Sequence, residues 1–130
     1  MKSKIFILFV FVLQLSLAQT TDIKGKWKSV NKEFNYEVIY KIKIVDSKYE
    51  GVALFFKSPE GEHKFSEDDN VNILRDFEFM NTGLLTGKYL DVENDIEYEA
   101  EIKIIDKNNL ELRIKNSEGD LKEKFSRIID

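Results

Sequence analysis

The chain has 130 residues, with 20 basic and 24 acidic side chains, a net charge of −4 and no cysteine. That length suits one domain with one core. The acidic balance disfavours nucleic acid or an anionic membrane as partner, and the missing thiols exclude disulfides, thiolate metal sites and cysteine nucleophiles, so stability must come from burial.

The chain begins with a leader pattern. Lys2 and Lys4 precede the apolar run Ile5 to Val12, which continues less purely to Leu17, and Ser16-Leu17-Ala18 supplies small residues for cleavage. This predicts a signal peptide over residues 1–18 and a mature domain over 19–130, exported to the periplasm or secreted. The run is short for a membrane span, no cysteine follows it to carry a lipid, and no later stretch is apolar enough to cross a bilayer. No integral membrane contact is expected. Without its two leader lysines the mature chain carries a net charge of about −6.

Beyond the leader, apolar and charged residues alternate, the period of half-buried antiparallel strands rather than helices. The first strand is expected at Lys24–Val30 and the second at Tyr36–Val45, where Tyr36, Val38, Tyr40, Ile42 and Ile44 share a face. Asp46-Ser47 turns the chain into a third, Tyr49–Lys57. Ser58–Asn70, with the only proline and a run of charge, reads as a long loop. Val71–Met80 follows as a strand, although Val71, Leu74, Phe77 and Met80 also fit a short helix. Leu84–Asp91, Ile96–Ile105, Leu110–Asn116 and Leu121–Ile129 complete the set, separated by Asp- and Asn-rich turns. Eight such strands joined mostly by tight turns point to an all-β, up-and-down antiparallel barrel, which removes the exposed edges of an open sheet. A small sandwich is the alternative.

The only tryptophan, Trp27, sits in Gly25-Lys26-Trp27 on the first strand, and Arg127 lies on the last. Closure of a barrel makes those strands neighbours. The guanidinium is then able to lie over the indole, a contact worth roughly 0.5–2 kcal/mol. Gly25 permits close backbone approach, and the indole N–H reaches a carbonyl at the barrel floor. Gly25, Trp27 and Arg127 are therefore assigned to barrel closure.

Little points to catalysis. His63 is the only histidine, and no serine occupies a G-x-S-x-G elbow. His63 with Glu62, Glu67 and Asp68 has the residue types of a metal set, and Asp68-Asp69-Asn70 those of a calcium loop. A solvated acidic loop is the better reading of both, because the calcium loop lacks its glycine and closing glutamate. No metal and no cofactor are expected. Glu123 is the exception among the acids, sharing a face with Leu121, Phe125 and Arg127. An ion pair with Arg127 is its expected role, ahead of the alternative, contact with a ligand. Tyr36, Tyr40 and Tyr98 fall on apolar faces near the small residues Gly51, Ala53 and Ala100, and Tyr49 and Tyr89 fit the same phase. Together with Ile42 and Ile102, Tyr36, Tyr40 and Tyr98 are the candidate lining of a ligand cavity. Whether the barrel is hollow or filled by side chains stays open at this point.

The chain also resembles the lipocalin and fatty-acid-binding superfamily, in which an early G-x-W packs beneath an arginine from the last strand. More closely, it is similar to a family of small exported bacterial lipocalin-like proteins of unknown function. The shared features here are Ile23-Lys24-Gly25-Lys26-Trp27, Tyr49-Glu50-Gly51-Val52-Ala53, Ile73-Leu74-Arg75-Asp76-Phe77, Gly87-Lys88-Tyr89-Leu90-Asp91 with Tyr98, and Phe125-Ser126-Arg127. Two features depart from that pattern. Asp91-Val92-Glu93-Asn94-Asp95-Ile96 replaces D-P-x-x-G-K, and phenylalanine replaces tryptophan before the final arginine. The resemblance implies a lipocalin-like barrel and supplies no catalytic residues.

The expected function is non-catalytic binding of a small hydrophobic or amphipathic ligand. The alternatives are a filled barrel acting through its surface as an envelope assembly or inhibitor protein, with the Ser58–Asn70 loop and an exposed Phe65 as the protein-partner contact, and a hydrolase using carboxylates.

Overall fold

The first and last strands of this chain meet edge to edge, and that pairing closes the sheet. A computed structural model describes residues 22–65 and 71–129. The expected leader, and Glu67, Asp68, Asp69 and Asn70 of the acidic segment, lie outside the described residues. The strands are β1 Gly25–Asn31, β2 Tyr36–Val45, β3 Lys48–Ser58, β4 Gly61–Lys64, β5 Asn72–Asn81, β6 Leu84–Asp91, β7 Ile96–Asp106, β8 Asn109–Ile114 and β9 Leu121–Arg127. Neighbours run β2-β1-β9-β8-β7-β6-β5-β3, and β2 pairs again with β3, so eight antiparallel strands form a closed barrel; β4 is an extra strand on β3. No helix occurs among the described residues.

Alternation sets the inside. Trp27 and Ser29 of β1, Val38, Tyr40 and Ile42 of β2, Ala100 and Ile102 of β7, and Leu110, Leu112 and Ile114 of β8 are all buried. The intervening charges face out and make cross-strand pairs such as Lys28–Glu37 at 3.3 Å and Lys115–Glu101 at 3.0 Å. Such exposed pairs add little stability and serve chiefly to keep one face wet. Asp46 and Ser47 both take left-handed backbone, with φ of 52° and 69°, the two-residue turn whose twist matches a hairpin.

One expectation is borne out with a bulge, and one changes. The segment that also fitted a short helix is strand β5. Opposite it, Arg75 pairs with Lys88 and Glu78 with Thr86, so Asp76 and Phe77 together face Gly87 alone. This bulge, with Asp76 at φ 55°, puts one extra residue between Leu74 and Phe77 and turns both inward. The three-residue spacing that mimics a helix is a bulged strand. Ser58–Asn70 is not wholly loop, because Gly61–Lys64 forms a hairpin with Phe55–Ser58. His63 is therefore on a strand, its ring edge-on to Phe65 at 4.7 Å. Phe65, expected exposed, is half-buried and packs on the core.

Candidate ligand-binding cavity

The two ends of the barrel are filled differently. At the end bearing the β2–β3 and β5–β6 turns, side chains pack solidly. Trp27 is fully buried, and its indole N–H donates to the Ile23 carbonyl at 2.8 Å. Arg127 stands opposite Trp27 across β1 and β9, with its guanidinium carbon 4.3 Å from the ring centroid. Its Nη1 and Nη2 donate to the carbonyls of Lys24 and Asp22, both at 2.7 Å, and its Nε donates to that of Lys107 at 2.9 Å. Gly25 has φ +129°, and a side chain there would begin 3.0 Å from Arg127 Nη1. The closure residues thus form one unit: an indole plug, a guanidinium across it, and a glycine that leaves the guanidinium room.

Above this plug, Leu74 occupies the space a side chain on Gly51 would take, at 2.7 Å, and Phe77 that of Gly87, at 2.6 Å. Gly51 therefore contributes no void. Ile42 and Ile102, expected to line a cavity, are instead buried in this packed layer. Ile42 stands against Gly25 and Gly51, and Ile102 against Leu85 and Leu112. Ile42 lies two residues farther along β2 from the open end than Tyr40, and Ile102 four residues farther along β7 than Tyr98; the Tyr40 and Phe125 rings stack at 5.1 Å and 25°.

At the other end the barrel opens into a cavity of about 670 Å³. Tyr36, Val38 and Tyr40 of β2, Ala53 and Phe56 of β3, Tyr89 of β6, Tyr98 of β7, Ile114 of β8 and Glu123 of β9 line it. The structure brings Tyr36, Tyr40 and Tyr98 together here and adds Tyr89 and Glu123. Of the small residues, Ala53 borders the space; Ala100 is packed between Gly87 and Ile114. Val71, Val92 and Leu121, each more than a third exposed, make an apolar rim that Phe65 joins.

Glu123 does not pair with Arg127. The two are four residues apart on β9, with Glu123 opposite Leu112 and Arg127 opposite Trp27, so they serve opposite ends of the barrel. The Glu123 carboxylate instead accepts from Tyr36 Oη at 3.2 Å and Ser29 Oγ at 3.3 Å. Burial raises its pKa, and these two hydrogen bonds offset part of that. Tyr36, Tyr40 and Tyr89 are all raised, first by burial and next by the charge of Glu123, so their phenols stay protonated at neutral pH. No protein hydrogen bond reaches the hydroxyls of Tyr40, Tyr89 or Tyr98 among the described residues, although Tyr40 is only 3% exposed.

No protein-family model and no curated protein matches this chain in sequence. Among solved structures, protein HP1028 from Helicobacter pylori, described as belonging to the lipocalin family, superposes with a TM-score of 0.65 over 85% of this chain and 86% of that one, at 12% identity. The fold is lipocalin-like. At that identity the likeness concerns the backbone architecture alone, and the site must be argued from its own residues. Among those described, no helix is long and apolar enough to cross a membrane, and no group of three or more His, Asp or Glu side chains is placed to hold a metal ion.

Proposed function

We propose that this protein binds a small amphipathic molecule in the open end of its barrel, without catalysis. The observation that carries the reading is the cavity itself, about 670 Å³ with an apolar rim and aromatic walls around a few convergent polar groups. A lipocalin-like barrel filled to its mouth would leave no such space. Val38, Phe56 and Ile114 suit an apolar body, and Glu123 with the tyrosine hydroxyls suits a polar end. Catalysis finds no support here. Ser29, the serine whose hydroxyl donates to Glu123, is 1% exposed and does not border the cavity, and His63 lies outside it. The leader pattern at residues 1–18 supports export, to the periplasm or beyond.

The test uses the full chain expressed with its leader. A neutral environment-sensitive dye such as Nile red should bind saturably at one site. Ala53→Phe, which places a ring in the cavity, should abolish that binding while leaving Trp27 emission unchanged. Absence of saturable binding, or binding that survives Ala53→Phe, overturns the proposal. Native mass spectrometry of the recovered protein should add a mass that leaves on denaturation.

A further inference from the structure

Among the described residues, the charged side chains lining the cavity are all of one sign. Glu123 stands in its depth and Asp91 and Glu93 at its rim, while no lysine, arginine or histidine lines it among the described residues. The Glu123 carboxylate is half-buried and held by two neutral hydroxyls, with no ion-pair partner among the described residues. An unneutralised carboxylate in a desolvated site is costly unless something supplies the opposite charge. The Tyr40 hydroxyl is a second, independent orphan: on the cavity wall, in a residue only 3% exposed, it has no protein partner among the described residues. Buried hydroxyls are ordinarily satisfied.

We propose that the cavity selects a cationic amphiphile, an alkyl- or arylalkyl-ammonium whose charge lies against Glu123 among Tyr36, Tyr40 and Tyr89. This rests on the binding function proposed above and specifies its ligand class. An ammonium supplies what each group lacks. Its N–H bonds reach the carboxylate in a charge-assisted contact and reach phenol oxygens as acceptors. Aromatic rings attract a cation through their faces. The acidic rim adds to the pull by concentrating cations at the mouth. A fatty acid meets the reverse situation. Its carboxylate has no lining cation to receive it and would stand beside Glu123, where like charges force one to take up a proton. A neutral alcohol binds its apolar body equally well but leaves the buried charge of Glu123 uncompensated.

Three ligands with one apolar body separate these cases: decylamine, decanol and decanoate, titrated calorimetrically into the full chain at neutral pH. Decylamine should bind about tenfold tighter than decanol or better, with decanoate weakest. Glu123→Gln should abolish the preference for decylamine over decanol, with Trp27 emission reporting that the barrel is intact. Decanoate binding as tightly as decylamine overturns the charge selection, as does an amine preference that survives Glu123→Gln. Equal binding of all three discards the cationic ligand and keeps the binding function. Binding of none discards both. Should Glu123→Gln fail to fold, the wild-type series alone decides.

Discussion

At the Trp27 end of the barrel the strong donors are used: the indole N–H has its carbonyl, and all three nitrogens of Arg127 donate to main-chain carbonyls. At the Glu123 end a carboxylate has only neutral partners, and a buried phenol has none among the described residues. The strands are the same, and the Tyr40–Phe125 stack is the boundary between the two halves. Satisfied polar groups and dense packing mark the half that holds the barrel shut. Unsatisfied ones around a void mark the half to which binding is assigned by the proposed function. Substitutions at the closed end should therefore cost stability, and substitutions at the open end should cost binding.

The largest effect is expected at the plug. Trp27→Ala removes a fully buried indole and leaves a cavity beneath Arg127, a loss of about 3–5 kcal/mol in urea unfolding followed by circular dichroism. A loss under about 1 kcal/mol would mean that this end is not what closes the barrel. Next comes Gly87→Ala. Its methyl group would begin 2.6 Å from both the Arg75 carbonyl oxygen and the Phe77 ring, and the carbonyl has no room to yield, so about 1–3 kcal/mol is expected. Arg127→Lys keeps the charge but gives up the planar fork over the indole and the simultaneous bonds to Asp22, Lys24 and Lys107, for about 1–2 kcal/mol. None of the three should change the preference among ligands by more than the common loss of folded protein, which a binding titration below the unfolding transition checks.

The same division explains what could be read from the sequence. The barrel was legible because the alternation in Tyr36–Val45 and Ile96–Ile105 states which side chains face in, and because an edge-free sheet is the economical way to close eight short strands. The closed end has a local signature, a lone tryptophan after glycine on the first strand and an arginine on the last, which closure brings into register. The open end has no such signature. Its contents depend on bulges, and a bulge is invisible to a period-two reading. Leu54 is the extra residue between the Ile39–Phe55 and Tyr40–Ala53 pairs, which decides that Ala53 faces the cavity. Asp76 is the extra residue that swings Phe77 inward to fill the space beside Gly87. The tyrosines could be placed on an inner face, but the height along the barrel that separates Tyr36 and Tyr98 from Ile42 and Ile102 comes only from register. Glu123 was assigned to Arg127 for the same reason: sharing a face does not mean sharing an end.

The smallest effect on stability is expected at the open end, and its sign sharpens the contrast. Burial raises the Glu123 pKa in the folded protein above its value in the unfolded chain. Between those two values the folded state holds more protons than the unfolded state, so this group favours folding at low pH and loses that contribution as pH rises through its folded pKa. Tyr36, Tyr40 and Tyr89, which face it from β2 and β6, are raised and stay neutral over this range, and Ser29 of β1 does not titrate, so these contacting groups do not reverse the sign. Glu123→Gln keeps the shape and a carbonyl acceptor for Tyr36 and Ser29 while removing the charge. It should raise the melting temperature at neutral pH by a few degrees and leave it unchanged at a pH below the carboxylate range, as measured by thermal unfolding across pH. A variant that is more stable than the parent and binds decylamine no better than decanol would show a carboxylate kept against the interest of folding, as the proposed cationic ligand requires. A variant that is less stable at neutral pH would make Glu123 a structural strut for Tyr36 and Ser29, and the two ends of the barrel would then differ in packing alone.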